Sequence, residues 1–218
     1  MDRRMRFSKL LEAVPQVVAA HGDCVVAGIK SDSRLVKPGD LFIAYRGLQA
    51  DGHDYIESAL ENGAVAVVFD DPRRETMLRG VPWARVSDAR KASAELADAW
   101  FEQPSTELLI AGVTGTNGKT TTTFFIEAIF RAGGIKGGVL GTLGYGAIDE
   151  RVEAPRTTPD AIELQGWLRR MADESYGGVA IEVSSHALVL RRPWRCAFDA
   201  VVFTNLSQDH LDFHENLD

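Results

Sequence analysis

The 218-residue sequence predicts an α/β protein: a small N-terminal α/β domain over residues 1–104, then a central domain over residues 105–218 with a mostly parallel sheet. Three observations carry this reading. Apolar runs of strand length recur, and Ala64-Val65-Ala66-Val67-Val68-Phe69 has no polar face, the pattern of a strand covered on both sides. Segments with helical spacing alternate with these runs. Finally, Leu108-Leu109-Ile110-Ala111 passes through a glycine-rich turn into residues 123–130, whose apolar positions repeat as in a helix.

In chain order, Met1-Asp2-Arg3-Arg4-Met5-Arg6 is basic like the start of a signal peptide. Lys9, Glu12 and Pro15 interrupt the next stretch, so the pattern is an amphipathic helix using Phe7, Leu10, Leu11 and Val14. Val25-Val26-Ala27-Gly28-Ile29 predicts a strand, leading into the polar turn Ser31-Asp32-Ser33-Arg34. Lys37-Pro38-Gly39-Asp40 is a second turn, and Leu41-Phe42-Ile43-Ala44-Tyr45 a buried strand. A loop over residues 46–53 precedes a helix over 55–62 that Gly63 terminates. Ser87 or Asp88 caps a helix from residue 89 to about 101, and Gln103-Pro104-Ser105 breaks the pattern at the domain boundary. Beyond the glycine-rich turn come a strand over 137–142, a helix over 160–172 and two strands, over 178–183 and 199–203.

The chemistry concentrates in Gly112-Val113-Thr114-Gly115-Thr116-Asn117-Gly118-Lys119-Thr120-Thr121. A strand, a glycine-rich turn and a helix N-terminus form an anion site, because unpaired amides converge there and the helix dipole adds about half a positive charge. Gly115 and Gly118 permit positive φ, Lys119 adds a full charge, and the Thr120 hydroxyl can reach a Mg²⁺ ion on bound phosphates. The common phosphate-loop pattern places glycine five residues before the Gly-Lys pair, where this chain has Val113. Ligands of a parallel sheet gather beyond the carboxyl ends of its strands. Glu182, at the end of an apolar strand, is a hard oxygen ligand suited to Mg²⁺, and His210 could complete the shell of a second metal. His210 and His214 have helical i, i+4 spacing, but no glutamate follows His210 and no cysteine is near, so zinc is disfavoured. Ser184-Ser185-His186 lacks the Gly-x-Ser-x-Gly elbow of a hydrolase, and hydroxyls bonding a substrate fit it better.

Bulk properties bound the rest. A net charge of −7 argues against general binding to nucleic acid or anionic membranes. Cys24 and Cys196 have no metal-like spacing and read as reduced thiols, and no apolar run reaches membrane-spanning length. A cytoplasmic protein is expected.

The constellation of residues 114–121, Thr157-Thr158-Pro159-Asp160, residues 182–188 and residues 204–212 resembles the Mur ligases, the ATP-dependent amide-forming enzymes of peptidoglycan assembly. With Asp32-Ser33-Arg34 and Gln49-Ala50-Asp51-Gly52, it is most similar to the members that add the third amino acid. The resemblance implies that ATP phosphorylates the terminal carboxylate of UDP-MurNAc-L-Ala-D-Glu, and that the amine of meso-diaminopimelate or L-lysine attacks the acyl phosphate. It also implies roles for residues. Ser33, Leu48, Gln49 and Ala50 would hold the UDP moiety, while Thr157, Thr158, Ser184 and Arg192 would hold the muramoyl-peptide. Gly115, Thr116, Asn117, Gly118, Lys119, Thr120 and Thr121 would bind ATP, Lys119, Glu182 and His210 would be catalytic, and Thr120, Glu182 and His210 would serve Mg²⁺. Leu190 stands where some members carry a glutamine that contacts substrate. The carbamylated lysine of the family has no counterpart, since Lys136 is the last lysine. The amino-acid-binding domain is also missing, so the chain reads as an N-terminal fragment, inactive by itself. Alternatives are a non-catalytic module holding nucleotide or UDP-sugar, and a ligase of the folylpolyglutamate or cyanophycin synthetase type.

Overall fold

The computed structural model describes residues 3–207, which fall into two compact units on either side of the Trp100–Phe101 bond. In the first unit, β1 (Met5–Arg6) pairs antiparallel with β3 (Val25–Val26), and α1 (Phe7–Leu11) follows β1 directly. The helix buries Phe7 and Leu10 and ends three residues short of Val14, as Pro15 approaches. The main sheet runs β2 (Val17–His21), β7 (Trp83–Val86), β6 (Ala66–Phe69), β5 (Asp40–Ile43) and β4 (Gly28–Lys30). The pairs from β7 to β4 are parallel, while β2 joins β7 antiparallel. Strands β5 and β6 are buried at every position, which matches the apolar runs Leu41-Phe42-Ile43 and Ala66-Val67-Val68-Phe69.

One correction concerns this unit. The single strand expected over residues 25–29 is two, β3 and β4, in different sheets, with a break at Ala27, whose amide donates to the carbonyl of Gly39. Helix α2 (Ile56–Glu61) closes as expected on Gly63, whose φ of +102° only glycine adopts without strain. Helix α3 (Ala89–Trp100) begins where the Asp88 carboxylate accepts the Lys91 amide at 2.8 Å.

In the second unit the sheet order is β10 (Gly144–Gly146), β9 (Gly137–Gly141), β11 (Gly178–Glu182), β8 (Leu109–Thr114) and β12 (Ala200–Phe203). All pairs are parallel except β10 with β9. Helix α4 (Lys119–Ala132) follows β8, α5 (Ala161–Asp173) precedes β11, and the short α6 (Ser185–Val189) comes after it. Val179, Ile181, Leu140, Leu164, Leu168 and Met171 form the core. The fold is thus α/β with mostly parallel sheets, and the register sets Glu182 of β11 opposite Val113 of β8.

Gly112 lies within β8, and a Cβ there would sit 2.7 Å and 2.9 Å from two ring carbons of Phe198. Its small size serves packing, not anion binding. Gly112→Ala is therefore expected to destabilise the protein by about 1–3 kcal/mol, read by urea unfolding. Combining it with Phe198→Leu should recover part of that loss.

Candidate functional site

The phosphate loop has the conformation its glycines suggest. Gly115 and Gly118 have φ of +127° and +85°, and α4 starts immediately after Gly118. No side chain caps this helix, so its first amides, which have no acceptor within the helix, are left for an outside partner. The Lys119 ammonium folds back to donate to the carbonyls of Gly115 at 2.7 Å and Thr116 at 2.9 Å. The loop is also gripped from behind by the segment after β12. The Thr116 amide donates to the carbonyl of Asn205 at 2.9 Å, and the Asn117 amide to the Asn205 side-chain oxygen at 3.1 Å. The Thr204 hydroxyl donates to the carbonyl of Asn117 at 2.7 Å. A Cβ on Gly115 would lie 2.2 Å from that hydroxyl oxygen, so this close approach requires glycine.

Glu182 is 1% exposed. One carboxylate oxygen accepts the Thr142 amide at 3.0 Å, and the other accepts the Thr120 hydroxyl at 3.0 Å and the Thr142 hydroxyl at 3.1 Å. The carboxylate thereby reaches the first turn of α4 across the end of the sheet. Gly141 makes room for it, since a Cβ there would stand 2.2 Å from Glu182 Oε1. Thr120 and Glu182 are a hydroxyl and a carboxylate on one edge, a hard-oxygen pair that fits Mg²⁺ completed by phosphate and water. Among the described residues no group of three or more His, Cys, Asp or Glu gathers as a metal cage. His210, with Asp209 and His214, lies outside the described residues.

Thr157 and Thr158 flank the same edge. The Thr157 hydroxyl meets that of Thr142 at 3.0 Å. Thr158 is fully buried, its hydroxyl donating to the carbonyl of Glu182 at 2.7 Å and accepting the Ser184 amide at 3.1 Å. Ser184 caps α6 by accepting the Ala187 amide at 3.2 Å, and Arg192 donates to the carbonyl of Thr158 at 2.9 Å. Thr121 stands beside Thr120 in the first turn of α4. Leu190 is buried. Gly141 and Thr142 are not among the site residues expected from sequence, whereas Asn205 belongs to the segment 204–212 that carries the resemblance.

In the first unit a cavity of about 360 Å³ opens beyond the carboxyl ends of β4 and β5. Ser31, Asp32, Ser33 and Arg34 line it from one side, and Tyr45, Gly47, Ala50 and Tyr55 from the other. Asp32 accepts the Arg34 amide at 3.0 Å and pairs with its guanidinium at 2.6 Å, and that side-chain bond holds its carboxyl below the usual range. Ser33 is buried, its carbonyl accepting from the Asn62 side chain at 2.9 Å. Leu48 and Gln49 do not line the cavity; they stand on the same loop, with Leu48 62% exposed.

Two family models match this chain: the catalytic domain of the Mur ligase family over residues 25–101, and the Mur ligase middle domain over residues 113–218. The chain belongs to the Mur ligase family. It is 46% identical over 216 residues to the UDP-N-acetylmuramoyl-L-alanyl-D-glutamate--2,6-diaminopimelate ligase of Geobacter sulfurreducens, covering 98% of this chain and 42% of that protein. It is 48% identical over 194 residues to the UDP-N-acetylmuramyl-tripeptide synthetase of a Roseiflexus species, covering 87% of this chain and 38% of that protein. A solved UDP-N-acetylmuramoyl-L-alanyl-D-glutamate--2,6-diaminopimelate ligase superposes with a TM-score of 0.79 at 32% identity, over 93% of this chain and 41% of its own. The chain thus spans about two fifths of the length of the Mur ligases it matches. Among the described residues no helix is long and apolar enough to cross a membrane.

Gly141→Ala should push the Glu182 carboxylate out of its three hydrogen bonds and destabilise the protein by about 1–3 kcal/mol in urea unfolding. Gly133→Ala, at a φ of −81° and with no atom closer than 3.4 Å to the added Cβ, tests whether loss of a glycine alone accounts for the effect.

Proposed function

We propose that this chain supplies the UDP-substrate and nucleotide sites of an ATP-dependent ligase that joins a diamino acid to UDP-MurNAc-L-Ala-D-Glu. The observation that carries the reading is the link from Glu182 to Thr120, which joins a buried carboxylate to the first turn behind a phosphate loop. The 46% identity to a diaminopimelate ligase supports the choice of substrate.

Lys119 and the amides at the start of α4 would hold the triphosphate, with Gly115, Thr116, Asn117, Gly118 and Thr121 shaping the cradle. ATP would supply the phosphoryl group that activates the substrate carboxylate. Thr120 and Glu182 would orient the Mg²⁺ that accompanies it, a role the resemblance extends to His210. Phosphoryl transfer depends on positioning and charge neutralisation, so these residues are expected to act by geometry and field. The Lys119 ammonium, bonded to the carbonyls of Gly115 and Thr116, would keep its third N–H for a phosphate oxygen. Thr157, Thr158, Ser184 and Arg192 would place the muramoyl-peptide beside it. The cavity bounded by Ser33 and Ala50 would take the UDP group, with Leu48 and Gln49 closing over it from the exposed loop. Meso-diaminopimelate is the favoured amino acid, with L-lysine the other candidate, and a cytoplasmic setting suits substrates made there.

The deciding experiment follows phosphate release on mixing UDP-MurNAc-L-Ala-D-Glu, ATP·Mg²⁺ and diaminopimelate with the polypeptide extended to its relatives' length. Release requiring all three substrates is expected, and release indifferent to the UDP-linked dipeptide would overturn the assignment. The 218-residue chain is expected to bind ATP·Mg²⁺ without forming amide. In calorimetry, Lys119→Ala should weaken that binding at least tenfold, since a charge-assisted hydrogen bond contributes about 1.5–3 kcal/mol.

A further inference from the structure

His53 occupies a position that the nucleotide chemistry leaves unexplained. It is 4% exposed, yet it is a titratable ring between two carboxylates on different elements. Its Nδ1 lies 2.5 Å from Asp51 Oδ1, and its Nε2 lies 3.0 Å from Asp70 Oδ1. Asp51 closes the loop that borders the cavity described above, and Asp70 follows β6. The second oxygen of Asp70 accepts the amide of Ala89, the first residue of α3, at 3.0 Å. One imidazole ring therefore connects a surface loop to two regular elements of the first unit.

The protonation state follows from the partners. A neutral imidazole donates from one nitrogen and presents a lone pair from the other. Here both nitrogens face carboxylate oxygen, so the neutral ring would set a lone pair against an anion. The Asp70 amide also approaches Nε2, but at 3.4 Å, farther than the carboxylate. The imidazolium satisfies both partners.

Other charges surround the ring from every side. Arg46 lies 3.4 Å from Asp51 on the loop, and Arg90 of α3 donates to the carbonyl of Arg46. Asp71 pairs with Arg73 at 2.8 Å, and Arg74 with Asp54 at 2.7 Å, along the 3-10 helix Pro72–Met77 and the 3-10 turn Gly52–Tyr55. Arg73 and Arg74 are thus engaged by the other two aspartates, and His53 is the cation that bridges Asp51 to Asp70.

We propose that His53, as an imidazolium, is a positioning residue that latches residues 46–52 against the UDP cavity, so that losing its proton loosens the loop and weakens binding of the UDP-linked substrate. The proposal rests on the UDP reading of that cavity. Burial disfavours the charge on His53, but the bonds to Asp70 and Asp51 outweigh it and its pKa is raised. Asp51 and Asp70 are held below the usual carboxylate range: burial opposes this, and the bonds from His53 prevail. A raised histidine contributes fully below its unfolded value of about 6.5 and loses that contribution as pH climbs through the folded value. The latch is therefore closed below the ring's ordinary value and opens as pH climbs through its raised folded value.

The test titrates the 218-residue chain with UDP-MurNAc-L-Ala-D-Glu by calorimetry between about pH 6 and about pH 8, a window in which the ligand's carboxyls and diphosphate stay ionised and its uracil stays neutral. The wild-type affinity is expected to fall several-fold across that window. His53→Gln should bind several-fold more weakly at the acidic end and show no step, and Asp70→Asn should move the step to lower pH while retaining the ring. By linkage, saturating ligand should raise the pKa of the His53 ring read by NMR. If His53→Gln does not fold, the Asp70→Asn profile and the NMR shift decide the matter. A wild-type profile without a step, or one matched by Asp70→Asn, overturns the latch while leaving the cavity reading intact. Failure of the wild type to bind the ligand at any pH overturns the cavity reading and the latch with it.

Discussion

The second unit depends on a buried anion held by neutral donors. The Glu182 carboxylate accepts three hydrogen bonds, from the Thr120 hydroxyl and from the amide and hydroxyl of Thr142. Burying a carboxylate is costly unless its lone pairs are engaged, and these donors come from the helix after β8 and the turn after β9. Strand β11 lies between those two strands, so the charge draws the segments that follow both neighbours to a common level. The resulting edge is set by the protein's own donors, which suits the divalent ion and polyphosphate proposed for it.

Much of this is legible in the sequence because the relevant physics is local. The turn from β8 into α4 needs glycine where φ is positive, and Gly115 and Gly118 announce that in the sequence. Strands β5, from Leu41 on, and β6 announce themselves by unbroken apolar runs. The hidden features depend on partners distant along the chain. Strand β2 reads as Val17-Val18-Ala19-Ala20-His21, but it is an exposed sheet edge, so no buried alternation marks it. β10 consists of Gly144, Tyr145 and Gly146, residues of poor strand propensity apart from the tyrosine, and its pairing with β9 supplies what propensity does not. Val25 to Ile29 reads as one strand because the break at Ala27 is set by the Gly39 carbonyl and by nothing local.

Site residues divide the same way. Ser33, Ala50, Thr157, Thr158, Ser184 and Arg192 sit at strand ends, in loops or beside short helices, where residues after apolar runs are conspicuous. Gly141 and Thr142 read as the tail of a strand. Their importance comes from the space and the donors they give to Glu182, which lies 41 and 40 positions farther along. Leu48 and Gln49 are marked by resemblance alone, and they stand on the loop beside the cavity without lining it. His53 reads as a lone histidine in a loop, because the two carboxylates that define its chemistry are visible together only once β6 is in place.

The clasp of Thr204, Asn205 and Ser207 on residues 114–117 spans 87 to 91 positions of chain. Closing so long a circuit is entropically expensive, and it cannot happen until the downstream strand exists. During synthesis, the loop after β8 leaves the ribosome long before the residues that brace it. The braced shape of the loop is therefore a late acquisition, maturing with β12, and a nascent chain halted before residue 200 would carry the glycines of the motif without that shape.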